Sequence, residues 1–167
     1  HSTTELEATK RIAEAVAARG MMFVDAPVSG GPGAAASGAL AIMAGGDDKA
    51  MAAIADVMRC LGKMTHMGPV GTGQATKLVN QTLVLTNYCV LAEALRLAQA
   101  YGVDARKIPE ALKTGHAGSN LLAVAFPQMI DEDFAPRGFA RQVLKDLEML
   151  QAAARDQHLA MPMASQA

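Results

Sequence analysis

The sequence predicts a partial α/β layer followed by an all-α helical domain. Two observations lead there. Before residue 68, short apolar runs of strand length alternate with amphipathic stretches; after it, helical periodicity takes over. The change falls at Gly68-Pro69-Val70-Gly71-Thr72-Gly73, a string that neither a strand nor a helix interior tolerates well. The expected domains are 1–68 and 69–167.

Residues 4 to 19 carry Leu6, Ile12, Ala13, Val16 and Ala17 among Glu, Lys and Arg, and Gly20 stops them. This is an amphipathic helix with a glycine terminator. His1 to Glu5 are its polar entrance, with Ser2 or Thr3 as cap. Met21-Met22-Phe23-Val24-Asp25 reads as a buried strand, and Leu40-Ala41-Ile42-Met43-Ala44 as another, closed by Gly45-Gly46. Asp47 to Cys60 is a second helix and Lys63 to Met67 a third short strand. Helices follow over roughly 74–101, 104–114, 119–131 and 138–157. Turn signals at Gly102, at Gly115-His116-Ala117-Gly118 and at Pro136-Arg137-Gly138 separate them.

Composition excludes several functions. A net charge of -1 and an aromatic share of 4% without Trp supply neither a cationic surface nor a base-stacking platform for nucleic acid. The charge-free stretch Leu78 to Ala92 contains Asn80, Gln81, Thr82, Thr86 and Asn87, so it reads as a buried helix and not a membrane span. Cys60 and Cys89 are far apart with no Cys-x-x-Cys pair, which predicts buried thiols in a reducing compartment such as the cytoplasm, and no zinc site. His66, His116 and His158 have no partner spacing and read as structural or surface residues.

Two strings carry chemistry, and one is a decoy. Gly31-Pro32-Gly33-Ala34-Ala35-Ala36 satisfies the loose dinucleotide pattern G-x-G-x-x-G/A. That pattern must open a crossover helix, yet only Ser37-Gly38-Ala39 separate it from the strand at Leu40. No acid follows about 20 residues on at a strand end. The longer string Asp25-Ala26-Pro27-Val28-Ser29-Gly30-Gly31 ends in a turn offering one hydroxyl and consecutive backbone N–H groups, a concavity suited to a carboxylate. An ordinary glycine-rich turn between two strands is the competing reading. The second string is Gly71-Thr72-Gly73-Gln74-Ala75-Thr76-Lys77-Leu78-Val79-Asn80-Gln81. Lys77, Asn80 and Gln81 share a helical face. Lys77 is expected in the first helical turn, where the dipole and burial both work against its charge and towards proton transfer near neutral pH. A lysine that snorkels to solvent is the alternative.

Taken together, in this order and spacing, the strings resemble the signatures of the β-hydroxyacid dehydrogenases, the group containing 3-hydroxyisobutyrate dehydrogenase and tartronate semialdehyde reductase. The resemblance runs from Ser2 to about Met163. It implies that the α/β part is the closing portion of a Rossmann-like domain. It implies hydride transfer between NAD or NADP and a small 3-hydroxy acid. Ser29, Gly30, Gly31 and Asn80 fall at the family's substrate-binding positions, and Lys77 at its catalytic lysine. Thr3 lies in what looks like the family's Ser-Thr segment beside the nicotinamide, and Lys145-Asp146-Leu147 resembles its Lys-Asp-Leu, whose lysine lies near the cofactor. Gln81 departs from the second Asn of many members; Asn-Gln here, with Ala117-Gly118-Ser119, is similar to the tartronate semialdehyde reductase branch. The family begins with a Gly-rich strand-turn-helix that this sequence does not contain, so the sequence reads as a fragment that is inactive alone. The family also implies a homodimer or homotetramer built on the helical part, and a catalytically silent dimerisation module is the alternative function. Lys77 speaks against the imine-reducing relatives, which usually lack that lysine.

Overall fold

The structure is a computed structural model that describes residues 2–136 and 138–167. His1 at the polar entrance and Arg137 in the last turn signal lie outside the described residues. The chain divides into two compact units, 1–80 and 81–167. The fold is a partial α/β layer followed by helices.

In the first unit, helix α1 spans Leu6–Ala17. Its end follows from Gly20, whose φ of +70° lets the Gly20 and Met21 N–H groups close back on Ala17 and Val16 carbonyls. Its start differs from expectation. Neither Ser2 nor Thr3 caps it, and the N-cap position is Glu5 without a side-chain bond. Those two residues lie too far ahead of Leu6. Instead the Thr4 hydroxyl meets that of buried Thr9 at 2.8 Å, and Thr9 Oγ1 donates to the Glu5 carbonyl.

Three strands form one sheet in the order β1 (Val28–Ser29), β2 (Leu40–Gly45), β3 (Gly62–Gly68). β1 runs antiparallel to β2, pairing Val28 with Ile42 and Ser29 with Ala41; β2 runs parallel to β3. Helix α2 (Gly31–Ala36) connects β1 to β2, and α3 (Asp48–Leu61) makes the crossover to β3. Asp47 caps α3 by accepting from Ala50 N at 2.7 Å. At the end of α3 a Cβ on Gly62 would overlap the Leu40 backbone, so only glycine lets β3 start alongside β2. Ala26, Leu40, Ile42, Ala44 and Met51 form the core. His66 Nε2 lies 2.8 and 2.9 Å from the Gly46 and Gly68 carbonyls and ties the ends of β2 and β3, a structural role; His116 and His158 are exposed.

The expected strand at Met21–Asp25 does not form. Only Asp25 pairs, as an isolated bridge to Gly45, while Met21 and Met22 are 53% and 51% exposed. A strand needs a ladder, and here the Met21 N–H is spent on closing α1 while β2 offers this run only its last residue.

Helix α4 (Thr72–Ala100) enters the second unit from Gln81 onward. The stretch expected over 104–114 resolves into a 3-10 turn at Ala105–Lys107 and α5 (Ile108–Leu112), because Pro109 removes an N–H and restarts the helix. Then come α6 (Asn120–Ile130), α7 (Ala140–Asp156) and α8 (Pro162–Gln166). Ser119 caps α6 through Leu122 N at 2.9 Å. Leu91 and Leu95 of α4 pack on Leu122, Ala125 and Phe126 of α6.

Two burial expectations are overturned. The Leu78 to Ala92 stretch is not buried all round: Leu85 and Leu91 are buried, but Leu83 and Val90 are exposed, because only one side of α4 has neighbours among the described residues. Cys60 and Cys89 are both free and exposed; Cys60 lies on the outer face of α3 and Cys89 on that of α4. No helix among the described residues is long and apolar enough to cross a membrane.

Phe126 is fully buried at the centre of the second core. Phe126→Ala should cost about 3–5 kcal/mol of stability, read as a lower midpoint in denaturant unfolding followed by circular dichroism.

Candidate active site

The site begins at a carboxylate to which the sequence reading gave no role of its own. Asp25 is only 4% exposed, and it clasps the start of α4: Oδ1 accepts from Gly71 N at 2.7 Å and Oδ2 from Gln74 N at 2.8 Å. The first N–H groups of a helix have no partner inside it and sit at the positive end of its dipole. A buried carboxylate satisfies both needs and is itself kept hydrogen-bonded. Asp25 is placed for this by its bridge to Gly45, with N–H···O distances of 3.0 and 2.8 Å. The approach is so close that a Cβ on Gly45 would stand 2.5 Å from Asp25 Oδ1. One on Gly73 would stand 2.6 Å from the carbonyls of Asp25 and Met43.

Because that clasp begins α4 at Thr72, Lys77 lies in the second helical turn and not the first, beyond the strongest part of the dipole. Its side chain is half-buried, and Nζ donates to the Val28 carbonyl at 2.9 Å. Val28 precedes Ser29 in β1, so the structure brings Lys77 beside the Ser29-Gly30-Gly31 turn. The turn depends on its glycines: Gly30 and Gly31 have φ of +129° and +69°, and a Cβ on Gly30 would stand 2.5 Å from Ala34 Cβ. Ser29 Oγ makes no hydrogen bond to another described residue. Asn80 is half-buried, one helical turn past Lys77 on the same face.

The loop carrying the loose dinucleotide pattern is α2 itself, a six-residue helix started by Pro32 and filled by three alanines. That helix was not expected. It joins antiparallel neighbours and is no crossover. α2 is therefore not a crossover helix of the kind whose N-terminus faces a dinucleotide pyrophosphate; the crossover helix here is α3, which follows Gly45-Gly46 and has its first turn capped by the Asp47 carboxylate.

Thr3 is half-buried in the segment ahead of α1. That segment is held by Gln74, the second residue to which sequence reasoning gave no role: its side chain accepts from Thr4 N at 3.1 Å and donates to Ser2 O at 2.7 Å. In the second unit, Lys145 Nζ lies 2.9 Å from Asp146 Oδ1, and Asp146 Oδ2 accepts from Gln81 Nε2 at 2.6 Å. Asp146 is buried and Lys145 half-exposed, so the carboxylate is held from both sides while the ammonium reaches the surface. No group of three or more His, Cys, Asp or Glu among the described residues is arranged to hold a metal ion.

Two family models cover the chain from end to end. Residues 1–71 match the NAD binding domain of 6-phosphogluconate dehydrogenase, and residues 71–167 match the NAD-binding of NADP-dependent 3-hydroxyisobutyrate dehydrogenase. Among curated relatives, the chain is 37% identical over 155 residues to 2-hydroxy-3-oxopropionate reductase of Escherichia coli, covering 92% of this chain and 53% of that protein. It is 42% identical over 139 residues to the probable 3-hydroxyisobutyrate dehydrogenase-like 2, mitochondrial, of Arabidopsis thaliana, covering 83% and 45%. Among solved structures, 3-hydroxyisobutyrate dehydrogenase from Salmonella typhimurium superposes with a TM-score of 0.87 at 26% identity, over 99% of this chain and 59% of that one. The chain spans about half the length of the curated relatives it matches.

Removing the clasp should loosen the start of α4. Asp25→Ala should cost about 2–4 kcal/mol, since two charge-assisted bonds to otherwise orphaned N–H groups are lost. Asp25→Asn should cost less, because one amide oxygen still accepts. Equal stability of all three proteins in urea unfolding would show that the clasp contributes nothing.

Proposed function

Because this chain belongs to the β-hydroxyacid dehydrogenase family, we propose that it supplies the substrate-binding and proton-transfer part of an oxidoreductase acting on a small 3-hydroxy acid. The substrate would be of the 3-hydroxyisobutyrate or 2-hydroxy-3-oxopropanoate type. The cofactor class that goes with both matching models is NAD or NADP. The observation that carries the reading is the Lys77 ammonium bonded to Val28, one residue before the Ser29-Gly30-Gly31 turn.

In this reading the substrate carboxylate is bound by the Ser29 hydroxyl and the N–H groups of Gly30 and Gly31, which offer directed donors at little cost in side-chain entropy. Lys77 holds the proton exchanged at the hydroxyl or carbonyl oxygen. Its bond to the Val28 carbonyl fixes the position of the ammonium. Asn80 orients the same oxygen or the lysine. The nicotinamide, when bound, takes up or delivers the hydride. Thr3 and Lys145 are assigned to its neighbourhood. Neither α2, which is no crossover, nor α3, whose start already holds the Asp47 carboxylate, fits the pyrophosphate, and that part of the dinucleotide is assigned to residues outside this sequence. The working enzyme is then a longer polypeptide, of which 1–68 is the end of the dinucleotide-binding domain and 69–167 the helical domain; this chain alone turns nothing over. Unpaired thiols fit a reducing compartment, and we place the protein in the cytoplasm.

Self-association rests on a separate observation. Leu83, Val90 and Leu97 are spaced by seven along α4 and are 67%, 50% and 61% exposed, an apolar stripe of the kind that pairs helices. A homodimer or homotetramer through this stripe serves the enzyme, and would also serve a silent dimerisation module.

Lys77→Ala in the full-length protein should lower kcat by about 10²–10⁴-fold with the cofactor dissociation constant unchanged. Unchanged turnover would sink the role of Lys77 and favour the silent module. Val90→Glu should shift sedimentation equilibrium from oligomer to monomer; an unaltered mass would place the interface elsewhere.

A further inference from the structure

Gln74 is a buried polar side chain that the proposed chemistry does not use. It is 4% exposed, and both ends of its amide are spent on one short segment: Oε1 on Thr4 N at 3.1 Å and Nε2 on Ser2 O at 2.7 Å. These are the two backbone groups that a neighbouring parallel strand would engage on either side of residue 3. A primary amide presents one N–H and its carbonyl oxygen on the same side, as the N–H and C=O of a single residue in a strand are presented to a neighbour, so Gln74 stands in for one residue of a strand. The consequence falls on Thr3. Holding the peptides before and after it restricts its φ and ψ together and so sets the direction of its Cβ. Nearby, Thr4 is further tied through its hydroxyl to Thr9. Ser2 and Thr3 precede α1 and belong to no regular element, so no helix or strand ladder holds them.

We infer that Gln74 is a positioning residue that holds Thr3 in the orientation needed at the nicotinamide end of the cofactor. The inference rests on the assignment of Thr3 to that end. It joins both signature strings: the amide that orients Thr3 sits one turn before Lys77 on α4, and its own backbone N–H is held by Asp25. The Asp25 bond uses the main chain, so it survives any side-chain change at residue 74.

The test compares Gln74→Leu, Gln74→Glu and Thr3→Val in the full-length protein. In Gln74→Leu, exchange of the Thr4 amide hydrogen, followed by NMR, should accelerate about tenfold or more, and KM for NAD(P) should rise about tenfold, the scale of one or two lost hydrogen bonds. KM for the hydroxy acid should stay within about twofold. Gln74→Glu keeps an acceptor for Thr4 N–H and loses the donor to Ser2 O, so Thr4 should stay protected and the rise in cofactor KM should be smaller. This variant carries the test if the leucine protein fails to fold. Unchanged Thr4 exchange in Gln74→Leu, or in the glutamate variant a cofactor KM raised as much as in the leucine one, overturns the inference. So does a loosened segment with unchanged cofactor KM, provided Thr3→Val raises it. If Thr3→Val itself leaves cofactor KM unchanged, the assignment of Thr3 fails, the positioning role falls with it, and the clamp is a structural tie only.

Discussion

The contact on which most of this architecture depends is the Asp25 carboxylate against the first turn of α4. A helix of twenty-nine residues can slide or rotate against the layer it leaves, and each residue of slip turns its side chains by about 100°. Two bonds from one buried carboxylate, to Gly71 N and Gln74 N, remove that freedom. The phase of the helix is then set, and with it the direction of Lys77 towards Val28 and of the Gln74 amide towards Ser2 and Thr4. Closeness is part of the constraint. Glycines at 45 and 73 let the backbones approach to a distance that no Cβ would permit, so the carboxylate reaches its donors without a long side chain and without water between.

The same packing logic extends to the Ser29-Gly30-Gly31 turn. β1 is only Val28–Ser29, too short to be stable by itself. It is held because Val28 pairs with Ile42, a residue of the innermost core, and because the Val28 carbonyl takes the Lys77 ammonium. The hydrophobic core thus fixes β2, β2 fixes β1, and β1 presents Ser29 and the two left-handed glycines. A change in the core at Ile42 would therefore reach the turn through one residue pair.

What the sequence made legible was whatever depends on local pattern. The α/β-then-helix order, the Leu40 strand, the Gly20 stop and the turn at Gly115-His116-Ala117-Gly118 follow from periodicity or from motifs a few residues long, and the resemblance of two such motifs to one family put Lys77 together with the Ser29 turn. The elements that escaped are those whose partners are remote. Asp25 accepts from Gly71 N, 46 residues later and just ahead of α4, and Gln74 holds a segment 70 residues earlier. Local cap signals lie just ahead of a helix, whereas the residue that starts α4 at Thr72 is remote in sequence. The failure at Met21–Asp25 has the same origin: five apolar or bridging residues have strand character, but a strand exists only where a neighbour offers a ladder. Cys60 and Cys89 failed for a related reason, since the face of a helix that meets neighbours decides burial more than the residue type does.

One mismatch of boundaries carries a consequence. The sequence changes character near residue 68, and the two family models meet at residue 71, yet the compact units part at 80 and 81, inside α4. The bonds explain it: Gly71, Gln74 and Lys77 each spend a donor on Asp25 or Val28 of the α/β unit, and the Gln74 amide spends two more groups on Ser2 and Thr4. The first two turns of α4 are helical in conformation but belong by their contacts to the sheet. Lys77 and the Ser29-Gly30-Gly31 turn are therefore parts of a single compact unit, held in fixed relation by its core. Gln81, one residue past Asn80, already directs its side chain to Asp146 of the second. The change from bonds into the α/β unit to bonds into the helical unit falls between Lys77 and Gln81. That gives the Asn-Gln pair a physical meaning that its spacing alone did not supply: the two amides mark where α4 passes from one unit to the other.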